Sequence, residues 1–191
     1  MSAARPLDVL AFWFGEPATE APRDAWFRKD AGFDADVRTR FGATLEAALA
    51  GGLRDWDATP PTALARIVVL DQFTRNAFRD TPRAFAGDAL ALAAAQALVA
   101  RGDDRSLGPW QRLFVYLPFE HAEDLAMQQS ALELFAALGR AHPATADLLT
   151  WARKHHDVVA RFGRFPHRNA ILGRASTAEE EAFLREPGSR F

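Results

Sequence analysis

The chain has 191 residues and no cysteine, which excludes disulfides, thiolate nucleophiles, cysteine-ligated zinc and iron–sulfur clusters. Lysine is also scarce, with two residues against 21 arginines, a bias typical of GC-rich coding that has little functional meaning by itself. The formal net charge is −2 at pH 7, whereas a protein that binds nucleic acid over its whole surface is usually clearly basic. We therefore expect no nucleic-acid partner.

Long apolar runs are missing as well. The longest nearly uncharged run, residues 89–100, is much shorter than the roughly 20 apolar residues that a membrane-spanning helix needs. The apolar stretch near the amino terminus is brief and is interrupted by Asp8, unlike the hydrophobic region of a signal peptide. These features predict a cytoplasmic protein without a membrane partner, in which residues 89–100 form a buried core helix.

Alternation of apolar and polar residues with a period of two is almost absent, which argues against strands. Glycine and proline instead separate stretches of helical character, and 49% of the residues are hydrophobic. We predict an all-α fold in a single helical domain over residues 1–191. The predicted helices are residues 7–14, residues 34–50, a helix that starts after Thr59, residues 82–101, a short helix from Pro109 that Pro118 interrupts, residues 120–138, residues 144–162, and a last helix that Ser176 and Glu179 begin.

Three polar clusters lie within apolar sequence, at residues 71–76, 120–124 and 161–169. Charges embedded in this way need partners once the chain folds. The two asparagines of the chain, Asn76 and Asn169, each follow an arginine in such a cluster. We predict that the clusters converge into one polar site. Its candidate ligand-binding residues are Asp71, Arg75, Asn76, His121, Glu123, Asp124, Arg164, His167, Arg168 and Asn169.

The charges of the second and third clusters are complementary. Residues 158–178 contain four arginines and no acid, while residues 120–124 contain three acids and no arginine. Arginine–carboxylate pairing is therefore expected between them. Four arginines against three acids leave room for a bound anion, so the predicted partner is an anionic small molecule or an acidic peptide. A structural salt-bridge network is the alternative, and acids in the first turn of a helix starting at Glu120 also stabilise that turn without any chemistry.

Motifs for a specific reaction are missing, since the chain has no G-x-S-x-G, Walker loop or dinucleotide fingerprint. His121 and His167 are the candidate general acids or bases, because histidine titrates near neutral pH. The histidines and the acids at 120–124 supply ligand types of zinc or iron sites, but their spacing matches no metal motif and nearby arginines would repel a cation. We predict no metal and no cofactor.

Together the clusters resemble a bacterial family known as domain of unknown function number 924, whose pattern contains Asp-Gln-Phe-x-Arg-Asn, Leu-Pro-Phe-x-His-x-Glu-Asp and Arg-Phe-Gly-Arg-Phe-Pro-His-Arg-Asn. These segments occur here in order at residues 71–76, 117–124 and 161–169. The resemblance spans nearly the whole chain and implies a TPR-like fold, a right-handed stack of about eight or nine antiparallel helices, but no activity. The chain departs from the pattern at Thr74, Glu120 and Ala122, where proline, an apolar residue and serine are usual.

The residues support three hypotheses about function. In the first, the arginines of the clusters bind an anionic small molecule or carboxylate in one pocket, and His121 and the acids orient it, with or without turnover. In the second, the protein is a non-catalytic scaffold that holds a peptide in a TPR-like groove, and the clusters are structural cross-braces. In the third, it is a metal-dependent enzyme. An exposed aromatic face would support a homodimer under each hypothesis.

Overall fold

The computed structural model describes residues 3–18 and 21–189, and within these ranges the chain forms helices and turns without a strand. This confirms the prediction of an all-α fold. The α-helical segments of the described chain are α1 (Pro6–Phe14), α2 (Ala31–Leu49), α3 (Pro60–Val68), α4 (Thr74–Ala77), α5 (Asp88–Ala100), α6 (Pro109–Glu120), α7 (Leu125–Ala141), α8 (Leu148–Phe162) and α9 (Ala178–Phe183). A π-helical segment, Val69–Phe73, joins α3 and α4 into one continuous helix.

Several helix ends lie where glycine and capping residues predict them. Gly15 follows α1 with a φ of 87°, and Gly163 follows α8 with a φ of 69°, a backbone region that favours glycine. Thr59 caps α3 by accepting a hydrogen bond from the backbone N–H of Thr62. The last helix differs by one residue from its prediction, because Thr177 rather than Ser176 is its N-cap.

The helices pack as a stack in which α7 lies against α6 and α8, α5 against α3 and α6, α2 against α4, and α1 against α3. One hydrophobic core connects them, and its largest fully buried side chains are mostly aromatic: Trp13, Phe14, Phe41, Phe73, Phe114, Tyr116 and Phe135. The stacked helical packing agrees with the predicted fold. The single domain over residues 1–191 stays a prediction, and its residues 1, 2, 19, 20, 190 and 191 lie outside the described part.

Helix α6 runs through Pro118, so the prediction that a new helix begins at Glu120 is wrong. Proline inside a helix costs about 3 kcal/mol, but nine of the twelve residues of α6 are buried, which offsets that cost. The end of α6 is also capped from α7, where Gln128 Nε2 donates to the carbonyl oxygens of Glu120 at 2.6 Å and Ala122 at 2.8 Å. Glu120 is therefore the last residue of α6, whereas Glu123 and Asp124 lie in the turn before α7, so the three acids do not share one helical face.

The predicted helix over 82–101 is divided into a 3₁₀ turn, Pro82–Phe85, and α5. Gly87 lies between them, packed so closely that a Cβ there would overlap the Leu70 carbonyl oxygen of the π-helical segment. Residues Pro82–Ala100 are long and apolar enough to cross a membrane by length and composition, which is weak evidence because core helices of soluble proteins pass the same test. On α5, Ala91, Ala94, Ala95 and Leu98 are buried and the opposite face is exposed, so only one face of this helix belongs to the core.

Candidate functional site

Four of the predicted site residues meet at one place, together with an acid that was not predicted. The central cluster consists of Asp71 in the π-helical segment, Arg75 in α4, Asp88 at the start of α5, His121 at the end of α6, and Arg168 in the 3₁₀ turn Pro166–Arg168. All three polar segments of the sequence thus contribute to it. Asp88 is the one acid between residues 81 and 102, and a lone acid in such an apolar segment is the signal that could have identified it.

Two arginines share the Asp88 carboxylate. Arg75 makes a bidentate contact with it, with Nη1 2.9 Å from Oδ1 and Nη2 3.2 Å from Oδ2. Arg168 Nη1 donates to the same Oδ2 at 3.1 Å. Arg75 also lies 3.2 Å from the Asp71 carboxylate and donates to the Asp71 carbonyl oxygen at 2.6 Å. The two acids of the central cluster therefore balance its two guanidinium charges.

The π-helical segment carries Asp71 into the fully buried interior. Its extra residue per turn interrupts the regular carbonyl pattern, and the Thr74 hydroxyl donates to the Leu70 carbonyl oxygen at 2.8 Å. Segments of this kind are rare and frequently lie at functional sites. Sequence periodicity alone does not indicate one, so the position of Asp71 became visible only in the structure.

Asp71 orients His121, because Asp71 Oδ1 lies 2.8 Å from His121 Nδ1. Burial would raise the pKa of the Asp71 carboxyl, but Arg75 and His121 together hold that pKa well below its usual range. Burial and the charge of Arg75 lower the pKa of His121 below its ordinary value, although Asp71 opposes them. At neutral pH, a neutral imidazole thus donates from Nδ1 to an ionised carboxylate, and Nε2 carries the lone pair.

The Arg168 guanidinium is buried and incompletely paired. Its Nη2 donates to the His121 carbonyl oxygen at 3.0 Å, and its Nε, also buried, has no hydrogen-bond partner. The group lies over the rings of Phe85 and Phe165, at 4.7 Å from each ring centroid. Burial and the positive charge of Arg75 lower the pKa of Arg168 to about 10. Arg168 therefore pairs with one carboxylate, whereas Arg75, the other arginine of the central cluster, lies near two.

A cavity of about 460 Å³ opens beside His121 and Arg168. His121 is 15% exposed, and because Asp71 occupies Nδ1, Nε2 is the ring nitrogen that a ligand can reach. Apolar side chains, chiefly Phe85, Leu92 and Leu172, form much of the remaining wall. A second depression, of about 490 Å³ between α7 and α8, contains none of the predicted site residues.

Behind the central cluster lies a buried pair, Glu120 and His155, with Glu120 Oε1 3.0 Å from His155 Nδ1. Burial and the neighbouring charge of Asp71 raise the pKa of Glu120 to about 8. Burial lowers the pKa of His155 to about 3. Both groups are therefore neutral at pH 7, and the His155 ring centroid lies 6.3 Å from that of His121. From the sequence, Glu120 was expected to stabilise a helix start or to pair with an arginine, and its contact with His155 was not predicted.

Glu123 fastens the C-terminal segment to the turn between α6 and α7. Its carboxylate accepts from Arg174 Nη1 at 2.6 Å and Nη2 at 2.8 Å, and from the backbone N–H of Phe165 at 2.8 Å. Burial would raise the pKa of Glu123, but the contacts with Arg174 lower it below its ordinary value. This is the expected pairing between the second and third polar segments.

Arg164 and Asn169 form contacts within the C-terminal segment, and Asn169 connects them to the Glu123 contact by accepting a hydrogen bond from Arg174 Nε at 3.0 Å. Arg164 binds the Glu180 carboxylate as a fork at 2.7 and 2.8 Å, and Asn169 Nδ2 donates to Ser176 Oγ at 3.0 Å. The contact with Arg164 lowers the pKa of Glu180 to about 2. The structure gives these residues bracing contacts, away from the residues that line the cavity.

The remaining predicted residues, Asn76, Asp124 and His167, lie outside the central cluster. Asn76 Nδ2 donates to Asp34 Oδ1 at 2.8 Å, in a group that also contains Arg79. Asp124 caps α7 by accepting from the backbone N–H of Met127 at 3.0 Å, and it also lines the cavity. The His167 ring lies 5.6 Å from the Phe165 ring, and burial lowers the pKa of His167 to about 4.

The arginine surplus expected from the sequence is not present among the described residues, because acids outside the three clusters supply the missing partners. The carboxylate pairs of the C-terminal arginines are Arg161–Glu179, Arg164–Glu180, Arg168–Asp88 and Arg174–Glu123. In the described part of the chain, no three His, Asp or Glu residues are grouped so that they could hold a metal ion. The chemistry of the site is thus concentrated at His121 and Arg168.

Comparison with known proteins identifies a family without an established activity. A search of the curated proteins finds no match. A solved structure from Agrobacterium tumefaciens, of the protein of unknown function ATU0120, is 41% identical, with a TM-score of 0.84 over 94% of this chain and 96% of that chain. The family model described as bacterial protein of unknown function (DUF924) matches residues 9–188. The chain therefore belongs to the DUF924 family of bacterial proteins of unknown function.

Proposed function

We propose that this is a cytoplasmic protein whose cavity binds a small molecule through an anionic group such as a carboxylate. The observation that carries the proposal is the placement of His121 beside Arg168 at the cavity wall. Asp71 holds His121 through Nδ1, so that Nε2 is available to a ligand. Arg168 lines the same cavity, and its guanidinium lacks one hydrogen-bond partner, at Nε.

The charge balance of the central cluster predicts that an anion binds together with a proton. The charges of Asp71 and Asp88 compensate those of Arg75 and Arg168, and the facing His155 is neutral at pH 7. An anion in the cavity therefore adds an uncompensated negative charge, which raises the pKa of His121. Between the pKa of His121 in the free protein and its higher pKa in the complex, the affinity for the anion increases up to tenfold for each unit by which the pH falls.

Isothermal titration calorimetry with butanoate tests this proposal. We expect binding that strengthens from pH 8 to pH 6, with uptake of up to one proton measured in buffers of different ionisation enthalpy. His121→Asn retains an amide that can donate to Asp71 but cannot take up the proton, and Arg168→Met removes the cation. Both variants should lose binding. Arg161→Met is the control, because Arg161 pairs with Glu179 on the surface, and it should bind like the wild type. Equal binding by all four proteins would contradict the proposal.

General acid–base catalysis by His121 is a second candidate function, favoured by the 2.8 Å contact with Asp71. A carboxylate that fixes one imidazole nitrogen leaves the other positioned to accept a proton from a bound group. Hydrolysis of p-nitrophenyl butanoate, whose product is the carboxylate, checks this candidate. A rate that His121→Asn removes and Arg161→Met retains supports it, whereas equal rates in the two variants contradict it.

The second hypothesis, a non-catalytic scaffold for an acidic peptide, would need structural cross-links such as the ion pairs Glu123–Arg174 and Arg164–Glu180. Glu123 also lines the cavity, so the cross-link and the cavity meet at this residue. Binding of a peptide and formation of a homodimer stay predictions. For the third hypothesis, a metal-dependent enzyme, the described residues offer no cluster of three ligands.

A further inference from the structure

We infer that the ligand of the cavity is an amphipathic monocarboxylate, with an alkyl chain or ring attached to its carboxylate. This inference rests on the proposed function and specifies its ligand class. The cavity of about 460 Å³ is much larger than a carboxylate, and cavities of this size usually bury most of a ligand with an apolar body. A body of roughly six to ten carbon atoms suits such a space.

The apolar wall is built from three separate parts of the chain. Phe85 comes from the 3₁₀ turn before α5, Leu92 from α5, and Leu172 from the C-terminal segment. All three side chains are half-buried, so part of each remains exposed in the cavity. A ligand whose chain covers them removes this apolar surface from water, which is favourable in proportion to the area covered.

Acids at the cavity restrict the charge of the ligand. Glu123 and Asp124 line it on the side next to His121, and Asp88 lies beside Arg168. Glu123 is paired with Arg174, and Asp124 caps α7, so both are held in place. One anionic group can lie at His121 and Arg168, but a second negative charge would meet these carboxylates. The arrangement therefore favours a monoanion over a dicarboxylate or phosphate.

A chain-length series tests the inference. We expect the dissociation constant measured by calorimetry to decrease about fourfold for each methylene from butanoate to octanoate. Succinate and inorganic phosphate should bind much more weakly than hexanoate. Hexanol and hexylamine, which share the apolar chain, should bind at least tenfold more weakly than hexanoate. Comparable binding of hexanol or hexylamine would overturn the inference.

Variants of the wall separate this inference from the proposed function. The substitutions Leu92→Ala and Leu172→Ala change different elements, and each should reduce the increase in affinity per methylene along the series. Leu125→Ala is the control, because Leu125 is 52% exposed and lies outside the cavity lining. If butanoate binds but affinity does not increase with chain length, only the inference of an amphipathic ligand is overturned. Failure of every carboxylate to bind would refute the proposed function as well.

Discussion

The neutral state of Glu120 leads to a sharp prediction about stability. Its carboxyl is 4% exposed and contacts His155, and burial next to Asp71 raises its pKa from 4.5 to about 8. Glu120→Gln replaces a carboxyl that must stay protonated with a neutral amide of nearly the same shape. We expect this variant to be more stable than the wild type at neutral pH, although it changes a fully buried polar residue.

The magnitude follows from the two pKa values. As pH rises above 4.5, Glu120 ionises in the unfolded chain, whereas in the folded chain it stays protonated until about pH 8. The contribution of protonated Glu120 to the free energy of unfolding is therefore complete below pH 4.5. It decreases by about 1.4 kcal/mol per pH unit as the pH rises towards 8. Glu120→Gln has no such loss. Its advantage in the free energy of unfolding should be about 1 kcal/mol at pH 5 and about 3 kcal/mol at pH 7.

Urea denaturation of both proteins at a series of pH values measures this difference. Glu133→Gln is the matched control, because Glu133 is exposed on α7 and its substitution should leave the pH profile of the wild type unchanged. The reasoning is refuted if the wild type and Glu120→Gln differ by the same free energy at pH 5 and pH 7. In that case the folded protein would hold Glu120 as a carboxylate beside a neutral His155, because moving the proton from Glu120 to His155 leaves the number of bound protons, and hence the pH dependence, unchanged.

Two contacts that support the central cluster give further predictions. Gly87→Ala should destabilise the protein by about 1–3 kcal/mol, because a Cβ would overlap the Leu70 carbonyl oxygen, whereas Gly42→Ala, with nothing within 4 Å, should stabilise α2 by about 1 kcal/mol. Denaturation curves check both, and a Gly87→Ala protein as stable as the wild type would contradict the close packing. Glu123→Gln and Arg174→Met should show a coupling of about 1 kcal/mol in a double-mutant cycle, together with faster amide exchange over residues 165–174. Additive effects would contradict the pairing.

Local signals in the sequence predicted several helix ends, but not the starts of α2, α5, α7 and α8. Gly15, Thr59 and Gly163 act through backbone conformation and capping, which depend on a few neighbouring residues. The end predicted at Pro118 was wrong because the burial of α6 in the stack, a tertiary effect, offsets the cost of proline. The π-helical segment Val69–Phe73 could not be predicted either, because no local sequence pattern indicates such a segment.

The candidate site was predicted only in part, for a related reason. His121 and Arg168 were identified because charged residues embedded in apolar sequence need partners, and both lie at the cavity. The partners of the arginines could not be assigned, since Asp88 reaches Arg168 across 80 residues and Glu180, which pairs with Arg164, lies outside the three clusters. A count of charges within the clusters therefore gave an arginine surplus that the folded chain compensates from elsewhere. Pairing of charges is a property of the fold, not of neighbouring sequence.

The shared carboxylate of Asp88 has a consequence for how this protein evolves. It serves two guanidinium groups that reach it from 13 and 80 residues away in the chain. Replacement of Asp88 alone would remove the bidentate partner of Arg75 and the carboxylate partner of Arg168. Replacement of either arginine would leave the Asp88 carboxylate paired with the other. Replacement of Asp88 should therefore cost more stability than replacement of either arginine, although Arg75 keeps its contact with the Asp71 carboxylate. We expect substitutions of Asp88 to be rarer among family members than substitutions of Arg75.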